Sequence, residues 1–517
     1  MENFFYLIRS LIKHINFIGG SFFCFFVIFL LVLFPLKFND KISNFFKIIC
    51  KYSSSVFFGI FIINGIVYLL YPNFLNHIEP TVASIGLALK KGEPAYPIPL
   101  DSYTYNGILY GPLLFEIQMV FQSLFTPILV SSKLPGLIAL IISSYILLKT
   151  RKDWVYRGYI LYLFPFGLML FWNRSEPFLL LIVAITLFIN KNLSQNRFKP
   201  LFIGILGGIA SGLKLHGAAY VFVAYLATMN VNISLKHIII FSISSILSFF
   251  CFFLPENVSF VGFWQYISLA GSRHGLSFFL WLESFIYLIF LFLPFFILKG
   301  FKKLPVINLI LIAIIEFLIT IVASKHGNGF YHLLPLIPVN AFIMWEEKNN
   351  KKEINTKNNL LAILYACLVG VSLITVISGL ILPLGKSWQM FYDAKKEVVI
   401  LSKKRPDIIM GVTDEYGYPF SFFRVLLKNR QIDYASFMDL QISGIKDDSL
   451  IEKLNQCDIC CVLMPDKGDA FTLKNYYTSR PLFSDRVRQI FAKRFFITEK
   501  GRYYSVYECK GEKAIND

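Results

Sequence analysis

The sequence predicts a polytopic α-helical membrane protein that ends in a small α/β soluble domain. Of its 517 residues 56% are apolar, 17% aromatic and only 16% charged, with a mean hydropathy of +0.60. That is more apolar surface than the polar remainder could cover in a soluble globule. Runs such as SFFCFFVIFLLVLFPL, HIIIFSISSILSFFCFFLP and LLAILYACLVGVSLITVISGLILP are long enough to cross a hydrocarbon core of about 30 Å as helices. After Leu384 the composition changes to that of an ordinary soluble domain.

Residues 1–55 read as an N-terminal segment and a cytoplasmic loop. FFYLIRSLIKHI is a basic amphipathic stretch suited to the interface. The apolar run after it lacks a small-residue cleavage site and reads as an anchor. The net charge of +18 is concentrated in short loops: Lys37 to Lys51, Lys149 to Arg157, Lys191 to Lys199, Lys299 to Lys303 and Lys348 to Lys357. Basic residues beside spans mark cytoplasmic loops, so they are topology signals and argue against nucleic acid as a partner.

With those loops cytoplasmic, the apolar runs pair off and turn on the outer side. Spans near 158–171 and 174–190 meet at Asn173-Arg174-Ser175-Glu176, and spans near 201–213 and 217–230 meet at Lys214-Leu215-His216. Spans near 238–255 and 278–298 enclose Trp264, Tyr266, Arg273 and His274; those near 305–323 and 330–345 turn at Ser324 to Gly329. A last span, 360–383, runs outward. At roughly 20 residues each, about 11 to 13 spans are expected. The stretch 111–149 holds two apolar runs and fits this pairing only if a helix there is broken or re-entrant. The transmembrane module is then 56–384, with a first outer loop at 73–110, followed by an outer domain at 385–517.

In that last segment, pattern alternation predicts a helix through 388–404, strands at DIIMGVT, IDYASF and DICCVLM, helices at PFSFFRVLLKN, DSLIEKLNQ and FSDRVRQIFAKR, and a closing hairpin RFFITEKGRYYSVYEC. Cys24, Cys50, Cys251 and Cys367 sit in or beside spans, where cysteine behaves as a small apolar residue. For Cys457, Cys460, Cys461 and Cys509 core packing is the favoured reading, ahead of a disulfide. A CxxCC without a second Cys/His pair is weak support for zinc.

The candidate chemistry gathers on the expected outer face. The polar island HIEPTVASIGLALKKGEPAYPIPLDSYTYNGILYGP, residues 77–112, has the shape of a loop that works on the membrane surface. Its Glu79 follows a span and precedes an amphipathic stretch, where a general base could meet a lipid-borne substrate. The competing reading is an acid stabilising the start of the helix at Pro80. Arg174 and Glu176 in WNRSEPF are costly at membrane depth unless paired or functional. Lys214 and His216 in ASGLKLHGAA offer a cation and an imidazole among small residues, against the alternative of a snorkelling lysine. Arg273 and His274, Lys325 and His326, and His332 add further positive or polarisable groups. Cations converging in this way suit a phosphate leaving group. Asp414 and Glu415, after the DIIMGVT strand, could contact an acceptor, but ordinary exposed acids are the simpler reading.

Together these features resemble the C-type glycosyltransferase superfamily, polytopic enzymes that take sugars from polyprenyl-phosphate carriers. The nearest branch is that of bacterial proteins like protein O-mannosyltransferase and the aminoarabinose transferase of lipid A. The matching residues are the first-loop acid in HIEPTVASIGLALKKGEPAYP, YGPLLF, RSEPFLLL, GLKLHG and GNGFYHLLPLIP, over about residues 55–345. Family members carry an Asp or an Asp-Glu pair in the first loop. Here a single Glu follows His-Ile, which makes Asp101 the reserve base.

The resemblance implies transfer to a glycan, lipid or protein acceptor with inversion, and Glu79 as base. It further implies Glu176 orienting acceptor or sugar, and Arg174, Lys214, His216, Arg273, His274, Lys325 and His332 around the lipid phosphate. Tyr96, Tyr103, Tyr105 and Tyr110 would face sugar or acceptor. No nucleotide-binding loop is present, and a polyprenyl-phosphate donor makes one unnecessary. A divalent cation is compatible with this chemistry, although no cluster of carboxylate ligands stands out in the sequence. The expected setting is a bacterial inner membrane with the C-terminal domain in the periplasm. A transporter or flippase is the alternative class, although neither a repeat nor mid-span charge pairs appear beyond the isolated Glu116 and Glu316. A polysaccharide polymerase or ligase would place its long outer loop late, and a scaffold would tolerate Glu79→Gln and Lys214→Ala.

Overall fold

A computed structural model describes residues 40–98, 108–192, 198–298, 304–344, 351–428 and 431–510. Among them, six helices are long and apolar enough to cross a membrane: Lys47–Leu70, Ile128–Thr150, Leu235–Phe253, Phe278–Leu298, Val306–Ala323 and Asn359–Lys404. The protein is a helical membrane protein. The expectation of about 11 to 13 spans is corrected here, because several apolar runs form helices too short for a full span or are broken.

The reason is local. The run at 158–171 becomes a short helix, Trp154–Ile160, followed by a 3-10 segment, Leu161–Leu170, that contains Pro165. Gly167 within it adopts φ +58°, a conformation that a side chain would strain. The runs around Lys214 and Pro335 give the helices Lys199–Leu213, Gly217–Thr228 and a 3-10-to-α segment Phe330–Ile343. At 1.5 Å per residue these reach only about 18–23 Å. The 111–149 stretch is a broken pair, Pro112–Leu124 and Ile128–Thr150.

The chain divides into two compact units. The first gathers described residues 40–68, 136–250 and 276–385. Its core is aromatic: Phe57, Phe58 and Phe61 surround the Phe164 ring at 5.2, 5.0 and 5.3 Å. Tyr159 packs on Tyr162 at 4.9 Å and donates its hydroxyl to the Leu291 carbonyl. Elsewhere in this unit Lys199–Leu213 lies against Leu235–Phe250 through small residues. A Cβ on Gly208 would sit 2.4 Å from the Ser245 carbonyl oxygen, so only glycine lets the backbones approach this closely.

The second unit gathers 69–135, 251–275 and 386–510. Its sheet has the order β1-β2-β4-β3, with β1 (Ile409–Met410) parallel to β2 (Cys461–Pro465), and β4 (Tyr504–Cys509) antiparallel to both β2 and β3 (Phe495–Lys500). Helices Leu382–Lys404, Asp448–Asn455 and Asp485–Arg494 and the 495–509 hairpin fall where the pattern predicts them. Glu397, on the first of these helices, accepts the Tyr503 and Tyr504 amides at 3.0 to 3.2 Å.

Three expectations for this segment are corrected. IDYASF is not a strand; Tyr434–Ile442 is a helix whose first seven residues are all buried, so no period-2 alternation of burial can exist there. Asp433, just before that helix, accepts from the Ser436 hydroxyl, and tertiary packing overrides the strand propensity of its Ile and Tyr. The helix expected at PFSFFRVLLKN is a 3-10 segment, Tyr418–Leu426. Cys457 and Cys509, expected to serve as packing residues, form a disulfide that closes the hairpin end onto the residues before β2.

Candidate functional site

The first unit builds a cluster of charge around one carboxylate. Glu176 stands in the first turn of Ser175–Asn192, where the helix N-terminus favours an acid. Its Oε1 accepts from Lys214 Nζ at 2.7 Å, and its Oε2 accepts from Trp172 Nε1 at 2.9 Å. Arg174 Nε lies 3.7 Å from Oε2. The guanidinium lies 4.1 Å from the centre of the Trp172 ring, and its NH2 group donates to the Tyr331 hydroxyl at 3.3 Å. Lys214 sits 5.1 Å from the Tyr331 ring. Arg174, Glu176 and Lys214 are 7%, 1% and 5% exposed, so both cations meet the carboxylate out of water.

Two imidazoles adjoin this group. His332 Nδ1 and His216 Nε2 are 3.1 Å apart, and the Tyr220 hydroxyl donates to the His332 carbonyl. His332 is buried, and its Nε2 has no hydrogen-bond partner among the described residues. Lys325, in the turn after Val306–Ala323, is close enough for its charge to act on His216. Of the expected phosphate-binding set, the structure therefore brings together Arg174, Lys214, His216 and His332, with Lys325 at their edge, all around Glu176. Glu176 is held by cations, which differs from a carboxylate free to orient a substrate.

The remaining candidates belong to the second unit. Arg273 is exposed at the last turn of Phe260–Arg273. His274 is buried with Nε2 3.0 Å from the Asp439 carboxylate, whose other oxygen accepts from the Tyr266 hydroxyl at 2.7 Å. Glu79 is fully buried in the first turn of Ile78–Lys90, and its Oε2 accepts the Asn76 amide at 3.1 Å. Lys133 is near enough to interact electrostatically with Glu79, and donates to the Tyr71 and Asn73 carbonyls at 2.6 and 2.7 Å. Tyr96 is buried with its hydroxyl on the Tyr110 carbonyl, and its ring packs on Phe115 and Phe263. Tyr110 is buried as well. Asp101, Tyr103 and Tyr105 lie outside the described residues. Asp414 accepts from the Tyr416 and Gly417 amides, as an acid shaping a turn does.

Sequence reasoning missed Lys133, Tyr331, Asp439 and the pair Arg424 and Asp433. Arg424 donates to Asp433 and to the Thr81 hydroxyl, both at 2.9 Å, and is 1% exposed. A usable signal existed for the two cations, since each stands alone in an apolar run, SSKLPGLI and SFFRVLL. Among the described residues no group of three or more His, Cys, Asp or Glu is arranged to hold a metal ion. The sequence matches no protein-family model and no curated protein sequence.

Proposed function

We propose that this membrane protein transfers a sugar from a polyprenyl-phosphate carrier to a glycan, lipid or protein acceptor on the outer face of the membrane. The observation that carries the reading is the convergence of two buried cations and two imidazoles around Glu176. Lys214 and Arg174 both reach Glu176, beside a buried His332 Nε2 that has no partner among the described residues. Lysine and arginine brought together in this way suit an anion such as a lipid phosphate, through charge-assisted hydrogen bonds.

In this reading the acceptor oxygen or nitrogen attacks the anomeric carbon and the carbon–oxygen bond to phosphate breaks with inversion. The electron pair goes to the phosphate oxygen, and Lys214 and Arg174 stabilise the charge that grows there. A first-loop carboxylate, Glu79 with Asp101 in reserve, takes the acceptor proton. Glu79 must first be uncovered, since its carboxylate is sealed from solvent and holds the Asn76 amide. A disulfide in the C-terminal segment supports an oxidising, outer location for it, in keeping with a bacterial inner membrane and a periplasmic tail.

The test is donor binding and turnover in nanodiscs with a panel of radiolabelled polyprenyl-phosphate monosaccharides. Lys214→Ala is expected to weaken donor binding by about 10- to 100-fold, the worth of one charged hydrogen bond. Glu79→Gln or Asp101→Asn is expected to keep binding and lose transfer. If no carrier binds to the wild type, the proposal fails; binding without transfer to any acceptor points to transport instead.

A further inference from the structure

In the second unit Cys457, Cys460, Cys461 and Cys509 gather where β2 begins and β4 ends. Cys457 and Cys509 form the disulfide, while Cys460, which is exposed, and Cys461 are free thiols. The ladder pairs Cys461 with Glu508. One residue further on, the Cys509 amide donates to the Cys460 carbonyl at 3.0 Å, which continues the antiparallel register and sets Cys460 directly opposite Cys509. Opposite residues joined by such hydrogen bonds have Cα atoms about 5.5 Å apart, inside the span that a disulfide bridges. The existing bridge holds its own Cα atoms 5.7 Å apart. Cys509 therefore has two cysteines at bonding range and is bonded to one of them.

The cysteine now bonded is the strained one. Cys457 holds φ +58°, a left-handed conformation that residues with a side chain rarely adopt. Disulfides exchange by attack of a thiolate on a bridge sulfur, and the register puts Cys460 within reach of Cys509. Cys461 is the poorer attacker, because partial burial and the Cys460 thiol beside it push it up to about 11. Arg405 interacts with Cys461 and pairs with Glu508 across the ladder, which places a fixed cation beside the thiols. The acids close by are paired, Asp458 with Lys453 and Glu508 with Arg405. A partly exposed setting with a cation at hand is where cysteines react.

We propose that this end of the sheet is a thiol–disulfide exchange site in which Cys457 and Cys460 share Cys509. The Cys460 thiolate attacks the Cys509 sulfur. A Cys460–Cys509 bond forms as the Cys457–Cys509 bond breaks, and the electron pair leaves on the Cys457 sulfur, which takes up the proton that Cys460 gave. One bridge is exchanged for another, so the step needs neither an oxidant nor a reductant. The closing hairpin stays tied to β2 throughout, while the free thiol moves from one side of the turn before β2 to the other. The site stands apart from the charge cluster and does not rest on the sugar-transfer reading.

The test is disulfide mapping of the full-length protein in nanodiscs. The protein is held at about pH 8.5 without reductant, quenched with acid and alkylated in denaturant near pH 6, where thiolate attack is slow. Fragmentation of the tryptic peptide 454–467, which carries Cys457, Cys460 and Cys461, then shows which cysteine was free. Cys457 is expected to be alkylated in at least about one molecule in ten, with Cys460 unmodified in those same molecules and Cys509 unmodified throughout. Cys460→Ser should reduce alkylation of Cys457 at least tenfold, and Cys461→Ser should leave it within twofold. In Cys457→Ser, Cys509 should still resist alkylation because Cys460 takes the bridge. A smaller fraction of alkylated Cys457 in the wild type would overturn the proposal, whatever the variants do. So would exchange that persists in Cys460→Ser, or a Cys509 that is alkylated in a Cys457→Ser protein that melts as one folded species.

Discussion

Glu176 is held by Lys214, Arg174, Trp172 and the Ser175 hydroxyl, and the charges involved are almost wholly out of water. Breaking a buried ion pair is costly because it leaves an uncompensated charge. Glu176→Gln leaves two cations together and should destabilise by about 3–5 kcal/mol. Lys214→Met leaves Arg174 balanced by Glu176 and should cost clearly less. Melting temperatures of the two variants in one detergent test that order. The same logic applies to Asp433→Asn, which strands the fully buried Arg424; a variant as stable as the wild type would contradict it. Cys461 gives a pH-dependent reading of the β2 environment. Burial, with the neighbouring Cys460 adding to it, pushes its thiol up to about 11. Only about one part in a thousand is then thiolate at pH 8, and its alkylation should rise roughly tenfold per pH unit until the pH approaches 11.

Helix pairing turns on the same kind of close approach. A Cβ on Gly204 would stand 1.8 Å from the Ser244 hydroxyl and 2.6 Å from the Phe241 carbonyl oxygen, and the backbone of the facing helix cannot yield. Gly208→Leu should therefore force Lys199–Leu213 away from Leu235–Phe250 and cost about 1–3 kcal/mol or more. Gly370 is the control: it lies inside Lys351–Val376 with nothing within 4 Å of an added Cβ. Gly370→Ala should be neutral or stabilising by up to about 1 kcal/mol. Unfolding of the two variants side by side separates loss of packing from helix propensity. In the second unit, the Cys457–Cys509 disulfide ties residues 52 apart. By chain entropy it contributes about 4 kcal/mol, so a reductant should lower the melting temperature of the C-terminal segment.

Topology across the bilayer is where charge and disulfide meet. The proposed orientation, basic loops inside and tail outside, predicts that a cysteine at Tyr416, which is 80% exposed, reacts with an impermeant maleimide added to intact cells. One at Lys152, in a basic loop, should react only after permeabilisation; exposed native cysteines are replaced in both cases. The converse labelling would reverse the orientation. The apolar stretches near 238–255, 278–298, 305–323 and 360–383 were legible because a run of about 20 apolar residues has one low-energy form in a bilayer, the helix, whereas the helix Asp40–Leu70 begins inside the stretch read as a cytoplasmic loop. The tail hairpin and its amphipathic helices were legible because alternation and helical periodicity are local properties of the chain. Lys214 and Glu176 were legible because a charge in an apolar neighbourhood needs a reason. Their pairing with each other was not, since residues 38 positions apart meet only once two helices have packed. The break at Gly167, the helix at Tyr434, the Cys457–Cys509 bond and the sealing of Glu79 were likewise hidden. Each depends on which surface packs against which, and hydropathy carries no information about partners far along the chain.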